Sequence, residues 1–510
     1  MNQRTGNPNL LFEGSDWNFE TLSRVYDAIE TVALEDLKLD VYPNQLEVIS
    51  SEQMLDAYSS IGMPLMYRHW SFGKRFAREQ HLYRKGFLGL AYELVINSNP
   101  CITYLMEENT MAMQALVTAH AAFGHNHFFK NNYLFRQWTD ASAILDYMEF
   151  GKSYITRCEE KHGIAAVEAI LDAAHALMDQ GVFRYRRPPR LSLAAERERI
   201  RDRLDYEERT FSDLWRTLPA AKNAAAERPD DEIERGKGLN LPEENLLYFL
   251  EKNSPVLAPW QREILRIVRV IAQYFYPQRQ TKVMNEGCAT YVHYTIMNTL
   301  FDRGMISEGA LLEILHSHSS VVFQPTFDDR RFSSFNPYAL GFAMMQDIER
   351  ICTEPTSEDR DWFPDIAGNG DGRRTLLDAW ANHRDESFVL QYLSPALMRK
   401  FRMFVLEDQP RDTHYRVASI HDERGYRKVR STLAKSYDVG AYQPDIQVAD
   451  VDLLGNRHLR LRHTVQDGVT LAEVSRDATL RHVRQLWGYD VSLVGVDPSG
   501  DTVYEASAAE

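Results

Sequence analysis

Apolar residues recur at three- and four-residue steps through most of the chain up to about residue 410, and this spacing constrains the fold more than any other feature. Near the start, Leu22, Val25 and Ile29 would share one face of a helix that begins after Ser15 and Asp16. The same spacing returns at about 75–97, 108–123 and 138–180. The pattern predicts that this first block is wholly α-helical.

A highly charged segment at about residues 186–243 interrupts the pattern. It contains the runs RRPPRLSLAAERERIRDR and AAERPDDEIERGKG, which hold few large apolar residues and cannot bury much surface. Helical spacing returns near residue 243 and continues through WQREILRIVRVIAQYFYP. We therefore expect a charged, partly flexible insertion inside one domain, with its flanking helices packed together.

The spacing changes again after about residue 410, to short alternating runs separated by Gly, Asn and Asp. These runs are QVADVDLL, HLRLRHTV and YDVSLVGVD, with ATLRHVRQLW as one helix between strands. The sequence thus predicts a mainly α fold, in which a large helical domain at 1–410 is followed by a small α+β domain at 411–510.

The overall charge and the cysteines exclude several classes of protein. A net charge of -15 disfavours nucleic-acid binding, because contacts to phosphate require a basic surface. The 4 cysteines are far apart and form no CxxC pair, which indicates a reducing compartment, and we expect a cytoplasmic protein. An apolar run long enough for a signal peptide or a membrane span is absent from the sequence.

The common nucleotide-binding and hydrolase motifs are also absent. The chain has no GxxxxGK[ST], GxGxxG, GxSxG or HExxH pattern, and the FGKS run at 150–153 lacks the upstream glycine of a phosphate-binding loop. ATP is therefore disfavoured as a substrate.

Three histidines surround a glycine in TAHAAFGHNHFFKNN, residues 118–132. In a continuous α-helix, His120 and His125 would point about 140° apart and could not share one metal ion. If Gly124 breaks or kinks the helix, their rings can converge, and neutral imidazole is a common metal ligand. The alternative for His120, His125 and His127 is structural: one of them caps the C-terminus of the helix, and the others pack.

A second polar group lies in MNEGCATYVHY, residues 284–294. Glu286 and His293 are two helical turns apart and share one face, with Cα atoms roughly 10.5 Å apart. This distance favours one of them as metal ligand or general base and the other as an outer hydrogen-bonding partner. Asn285, Tyr291 and Tyr294 are candidates for further outer hydrogen bonds. The alternative is a buried Glu paired with a His or an Arg.

The stretch NEGCATY resembles the NEG-x-A-x-Y segment in which helical zinc peptidases of the gluzincin type supply an acidic ligand. The HExxH half of that signature is missing, because HAAFGH has no acid after its first histidine. Proteolysis is therefore disfavoured.

Five longer motifs resemble the stage V sporulation protein R family, SpoVR, over nearly the whole chain. They are YRHWSFGKRF (67–76), LAYELVINSNPCITYLMEENT (90–110), HAAFGHNHFFKNNYLFRQW (120–138), MNEGCATYVHYTIMN (284–298) and FNPYALGFAMMQDIER (335–350). The family is named for a role in spore cortex formation. The resemblance implies a setting in the sporulation or stress response, beside a PrkA-like serine protein kinase and a von Willebrand-type domain protein. It carries over no catalytic residues.

Two functions remain open at this point. The first is a metal-dependent enzyme, a hydrolase, with His120, His125 and His293 as candidate ligands and Glu286 as ligand or general base. The expected cofactor is a divalent metal ion, with zinc favoured. The second is a non-catalytic regulatory or scaffold protein that acts with the kinase.

Overall fold

In the computed structural model, the described residues are 9–59, 66–72, 74, 77–78, 81, 93–183, 241–407, 413–414, 416–419, 422–452, 455–466 and 468–508. Nearly all of the charged insertion predicted at 186–243 lies outside them, so that this expectation stays a prediction. The chain divides into two compact units. Unit 1 comprises Met1–Arg157 and Gln273–Tyr442, and unit 2 comprises Cys158–Ala272 and Gln443–Glu510.

Unit 1 begins with the predicted amphipathic helix. Helix α1 (Phe19–Thr31) buries Leu22, Val25 and Ile29, and its cap is Asn18, whose side chain accepts the Thr21 N–H, rather than Ser15 or Asp16. The next elements are a π-helix (Val32–Asp36), β1 (Asn44–Ile49), α2 (Ser51–Ser59), β2 (Glu93–Ile96), β3 (Cys101–Met106), α3 (Met111–Thr118), a second π-helix (Ala119–His125), α4 (Asn126–Asn131) and α5 (Tyr133–Trp138).

The prediction of a wholly α-helical first block is wrong, because these three strands form a sheet. Strand β3 lies at its centre and pairs in parallel with β1 and antiparallel with β2. The segments ELVI and CITYLM are rich in β-branched and aromatic side chains, which favour strands over helices. Strand β2 begins at Glu93, so the sheet fixes the position of this carboxylate.

The centre of unit 1 is helix α10 (Lys282–Asp302), which is buried along most of its length, from Val283 to Leu300. Its first turn is fixed by the buried Asp385, whose carboxylate accepts the N–H groups of Val283 at 2.8 Å and Met284 at 2.9 Å. The other helices of unit 1 are α11 (Glu308–Val321), α12 (Pro337–Thr353), α13 (Ser357–Trp362), α14 (Gly372–Asn382), α15 (Asp385–Tyr392) and α16 (Pro395–Lys400). Helices α6 (Ile144–His162) and α9 (Pro259–Gln280) have residues in both units, since the chain passes from one unit to the other after Arg157 and after Ala272.

Glycines set how closely the neighbouring helices approach α10. A Cβ atom on Gly124, in the second π-helix, would lie 2.5 Å from the Cα atom of Ala289. A Cβ atom on Gly287 would lie 2.6 Å from the backbone of Gly341 in α12. Both distances are too short for any side chain, so both helices pack directly on the α10 backbone. The π-helix is thereby held against the face that carries Glu286.

The last elements of unit 1 begin just before the predicted domain boundary at residue 410 and continue beyond it. They are β4 (Val405–Glu407), β5 (Arg416–Ser419), α17 (Glu423–Tyr437) and α18 (Val439–Tyr442). Helix α17 stays with unit 1 because it packs on α15, and Arg430 donates from Nε to the Leu393 carbonyl at 2.9 Å. Unit 1 therefore ends at Tyr442.

Unit 2 contains the predicted C-terminal strands. Strands β6 (Asp445–Val451), β7 (Leu459–Thr464), β8 (Val491–Val496) and β9 (Thr502–Ser507) form a sheet in this order. Strands β7 and β8 are parallel and are connected through helix α19 (Glu473–Trp487). Helices α7 (Ile164–Ala176) and α8 (Leu246–Asn253) belong to the same unit.

The predicted fold class, a large helical part followed by a small α+β part, is confirmed. Within the described ranges, none of the helices has the length and apolar character needed to cross a membrane.

Candidate metal centre

Two histidines five residues apart project from the second π-helix into one space. The i→i+5 hydrogen bonding of a π-helix lengthens each turn, so that residues five apart lie above one another. The rings of His120 and His125 accordingly have centroids 4.7 Å apart. Gly124 does not break the helix, since it lies inside the π-helical turn. The convergence of the two rings therefore follows from the wider turn.

The first residue of β2 brings a carboxylate to these histidines. Oε1 of Glu93 lies 3.1 Å from Nε2 of His120 and 3.8 Å from Nε2 of His125. One potential ligand atom from each of the three residues lies within 4.8 Å of the others. The Glu93 side chain is 19% exposed, so the group is not sealed from solvent.

A second carboxylate approaches from α10. Oε2 of Glu286 lies 3.5 Å from Nε2 of His125, and its side chain is 17% exposed. Next to it, Oδ1 of Asn285 lies 2.9 Å from Nδ1 of His125. Because an amide oxygen can only accept, Nδ1 of His125 carries the hydrogen. In the neutral ring, the lone pair of Nε2 is then directed toward the carboxylates.

Two atoms at the point of convergence lack a hydrogen bond of good geometry. Oε2 of Glu286 and Nε2 of His120 are buried and lack such a hydrogen bond among the described residues, although Nε2 of His120 lies 3.1 Å from Oε1 of Glu93 and forms an ion pair with it when protonated. Buried polar atoms are nearly always satisfied, so such a pair calls for a ligand. Two imidazole nitrogens with carboxylate oxygens suit a divalent transition ion such as zinc. The residues present therefore fit a metal ion.

His293 lies behind His120 instead of beside the carboxylates. Its Nδ1 atom is 2.8 Å from Nδ1 of His120, and its Nε2 atom is 3.0 Å from Nδ1 of His318 in α11. The three rings form a hydrogen-bonded row. Of the four predicted ligands, the structure thus brings His120, His125 and Glu286 together and places His293 in an outer layer.

The residues of the centre differ in charge: His120 and Glu93 form an ion pair, whereas His293 is neutral. Burial opposes charge on both His120 and Glu93, but their mutual attraction outweighs it, which raises the pKa of His120 and lowers the pKa of Glu93. Burial, together with the neighbouring histidines, holds the pKa of His293 well below its usual value. His293 is therefore neutral at physiological pH and can both donate and accept.

His127 lies outside the centre. Its Nδ1 atom accepts the N–H of Asp40 at 3.0 Å, and its ring packs edge-on against Trp380. Burial lowers the pKa of His127 to about 4. Tyr291, a candidate outer partner, instead donates to Glu349 at 2.8 Å. His127 is therefore a structural residue packed in the core, whereas His120 and His125 lie at the candidate metal centre.

Glu93 and His318 belong to this constellation, although the sequence patterns do not single them out. Glu93 lies in the motif at 90–110, at the end of a predicted helix; a strand assignment of ELVI would have placed it at a sheet end. His318 lies in HSHSS, a polar run of the kind that is typical of a solvent-exposed helix face. No local signal distinguishes it from His316.

Comparison with known proteins matches both parts of the chain. A family model described as SpoVR like protein matches residues 16–442, and one described as SpoVR-like C-terminal domain matches residues 444–498. The chain is 53% identical over 487 residues to a protein of Escherichia coli (strain K12) named "Uncharacterized protein YcgB", covering 95% of this chain and 93% of that protein. No solved structure matches. The two family models meet where the structure divides, after Tyr442.

Proposed function

The chain belongs to the SpoVR-like protein family, and we propose that it is a metal-dependent hydrolase. The observation that carries this proposal is the convergence of His120, His125 and Glu93 in unit 1, where one potential ligand atom of each residue lies within 4.8 Å of the others. Three protein ligands with access for a further group are typical of catalytic rather than structural zinc sites.

The three residues have distinct parts in holding the ion. His120 and His125 would supply imidazole nitrogen from one π-helical turn, which sets their mutual spacing, and binding of the ion would displace the proton that His120 shares with Glu93. Glu93 supplies the negative charge from the sheet. A divalent ion held there would act as a Lewis acid that activates water for attack on a carbonyl carbon.

Glu286 is the residue we propose as general base. It comes from a different helix, its Oε2 atom lacks a hydrogen bond among the described residues, and its side chain is partly exposed. A carboxylate in this position can take a proton from the attacking water and return it to the leaving group. If Glu286 instead coordinates the ion, it is the fourth ligand, and both roles require its carboxylate.

Outer partners orient the two histidine ligands. Asn285 holds His125 with Nε2 unprotonated. The row through His293 and His318 does the same for His120, if each ring donates to the next in the direction away from the centre. Such partners fix the tautomer and the ring plane of a ligand, so they raise metal affinity without touching the ion.

Metal analysis of the purified full chain tests the proposal. We expect about one zinc per chain, and loss of that ion together with loss of amide or ester hydrolysis in the Glu93→Gln and His125→Ala variants. Glu286→Gln should remove hydrolysis, whether or not the ion stays. His127→Gln is the matched control, because His127 is buried in the same segment but satisfied elsewhere.

A regulatory or scaffold protein is the alternative. A wild-type chain that binds no divalent ion, yet associates with a PrkA-like serine kinase or a von Willebrand-type domain protein, would replace the enzymatic proposal. The 4 cysteines are buried and none of them lies in a disulfide, as expected of a protein in a reducing compartment such as the cytoplasm.

A further inference from the structure

An aromatic cavity lies in unit 1, in a different place from the metal centre. Two hollows of about 490 and 580 Å³ share the lining residues Phe327, Phe401, Arg402 and Phe404. Phe327 is 55% exposed, and its ring contacts that of Phe404 with centroids 5.0 Å apart. The dimensions and the apolar lining are those of a small-molecule site. We refer to these two adjacent hollows together as the aromatic cavity.

The wall of the cavity is held in place before any ligand arrives. The loop between α11 and α12 carries Phe327, and its two ends are tied together through Asn336. The N–H of Asn336 donates to Oε1 of Gln324 at 2.6 Å, and its side chain donates to the Val321 carbonyl at 2.7 Å. A wall fixed in this way loses little entropy on binding.

Arg402 occupies a backbone position at which glycine is expected. Helix α16 ends in a Schellman motif, in which the Met403 N–H donates to the Met398 carbonyl at 2.9 Å and the Arg402 N–H donates to the Arg399 carbonyl at 3.1 Å. Arg402, the residue that follows the helix cap, has φ +50°. This is a left-handed conformation, which is unfavourable for a residue with a Cβ atom. This conformation has a free-energy cost for an arginine, as it has for Lys38 and Arg457, and contacts of the arginine side chain can offset it.

The charges at the cavity favour an anion. Lys400, Arg402 and Asp328 line the larger hollow, and Arg402 is the charged residue that also lines the smaller one. The local excess is therefore positive, although the whole chain has a net charge of -15. Guanidinium groups bind carboxylates and related anions through paired, charge-assisted hydrogen bonds.

We propose that the aromatic cavity binds an apolar molecule with one anionic group, whose body packs against the rings of Phe327 and Phe404 and whose anion pairs with Arg402. Glycine would end the helix at a lower free-energy cost, and the arginine is retained at this position because its side chain binds the ligand. The ligand of this site is a small amphipathic anion rather than a protein, and the site shares no residue with the proposed metal ligands, although Phe342 of its lining packs against His318.

Two fluorescent probes with the same aromatic body separate the parts of this proposal. One is 1-anilinonaphthalene-8-sulfonate, and the other is N-phenyl-1-naphthylamine, which lacks the sulfonate. Titrations of the full chain should show saturable binding of both. In Arg402→Gly, we expect about tenfold weaker binding of the sulfonate and unchanged binding of the amine. The same variant should melt at a higher temperature, since glycine relieves the backbone strain.

Two further variants locate the probes and control for strain. Lys38→Gly relieves a comparable conformation, φ +55°, away from the cavity lining, and should alter neither titration. Phe404→Ala should weaken both probes. If Arg402→Gly leaves the sulfonate unchanged or weakens both probes equally, or if Phe404→Ala leaves both unchanged, the proposal is overturned.

Discussion

The second π-helix and the helix that follows it, α4, place histidines of the same segment in opposite situations. In the π-helix, His120 and His125 direct Nε2 atoms toward carboxylates, and Nε2 of His120 has no hydrogen bond of good geometry among the described residues. In α4, His127 is satisfied by the Asp40 N–H. Asn126, beside it, accepts the Tyr42 N–H at 2.8 Å and donates to the Tyr42 carbonyl at 2.9 Å.

The difference lies in what each helix packs against. The π-helix meets the start of β2 and the face of α10, which present Glu93 and Glu286. Helix α4 meets the backbone of residues 40–42, which presents complementary peptide groups. The same side chain is thus a candidate ligand in one case and a structural residue in the other, and this contrast can be tested.

The largest effect is expected from the ligands themselves. Replacing Glu93 with Gln or His125 with Ala should lower zinc affinity by a factor of about 100 or more, because one of three ligands is lost. Competition with a chromophoric chelator measures this affinity. His127→Gln should bind zinc like the wild type. Equal losses of zinc affinity in the His125 and His127 variants would contradict the assignment of His125 as a ligand and of His127 as a structural residue.

The next effect concerns acid stability and belongs to α4. Burial holds the pKa of His127 at about 4, below its ordinary value, so the folded state binds this proton more weakly than the unfolded state. The resulting stability is present above about pH 6.5 and is lost as the pH falls toward 4, by about 3 kcal/mol in total.

Urea unfolding at a series of pH values, in the presence of a chelator, measures this loss. The His127→Gln variant should lose about 3 kcal/mol less than the wild type on acidification. Parallel pH profiles for the two proteins would show that His127 is not held neutral by burial.

The third prediction concerns the packing of the π-helix on α10. In Gly124→Ala, the added methyl group would collide with Ala289 and should cost about 1–3 kcal/mol of folding free energy. Because the π-helix carries both histidine ligands, zinc affinity should fall in the same variant. Thermal unfolding and the chelator titration report the two changes. Gly309→Ala in α11 is the control for added volume alone, since a Cβ atom there would meet only Ser307 Oγ, at 3.9 Å.

The smallest effect is expected from the row of histidines. His293→Gln should weaken zinc binding by about 10- to 100-fold, since His120 loses the partner that orients it. The visible spectrum of the cobalt-substituted protein should change as well, which a merely structural replacement far from the ion would not cause. An unchanged spectrum and affinity would limit His293 to a packing role.

Several of these features could be predicted from the sequence, because they depend on local periodicity. The burial of Leu22, Val25 and Ile29 follows from helical spacing, and the strands after Tyr442 follow from alternation. The long SpoVR motifs are sufficient to identify the family. Helical spacing also places Glu286 on a face of its helix, although nothing local shows what that face meets.

The remainder depends on contacts that the sequence does not encode locally. The π-helical turn arises where the chain packs on Ala289, 165 positions away from Gly124, so α-helical geometry gave the wrong angle between His120 and His125. Glu93 reaches the centre because a sheet, absent from the prediction, directs its strand there. Unit 1 extends past residue 410 because α17 packs on α15.

The most direct test of the metal centre is a crystal structure of the zinc-loaded full chain, with anomalous data on both sides of the zinc absorption edge. The account predicts one strong anomalous peak within bonding distance, about 2.0–2.2 Å, of Nε2 of His120, Nε2 of His125 and a Glu93 oxygen. A zinc peak at other residues, or no peak while Nε2 of His120 donates to Glu93, would contradict it.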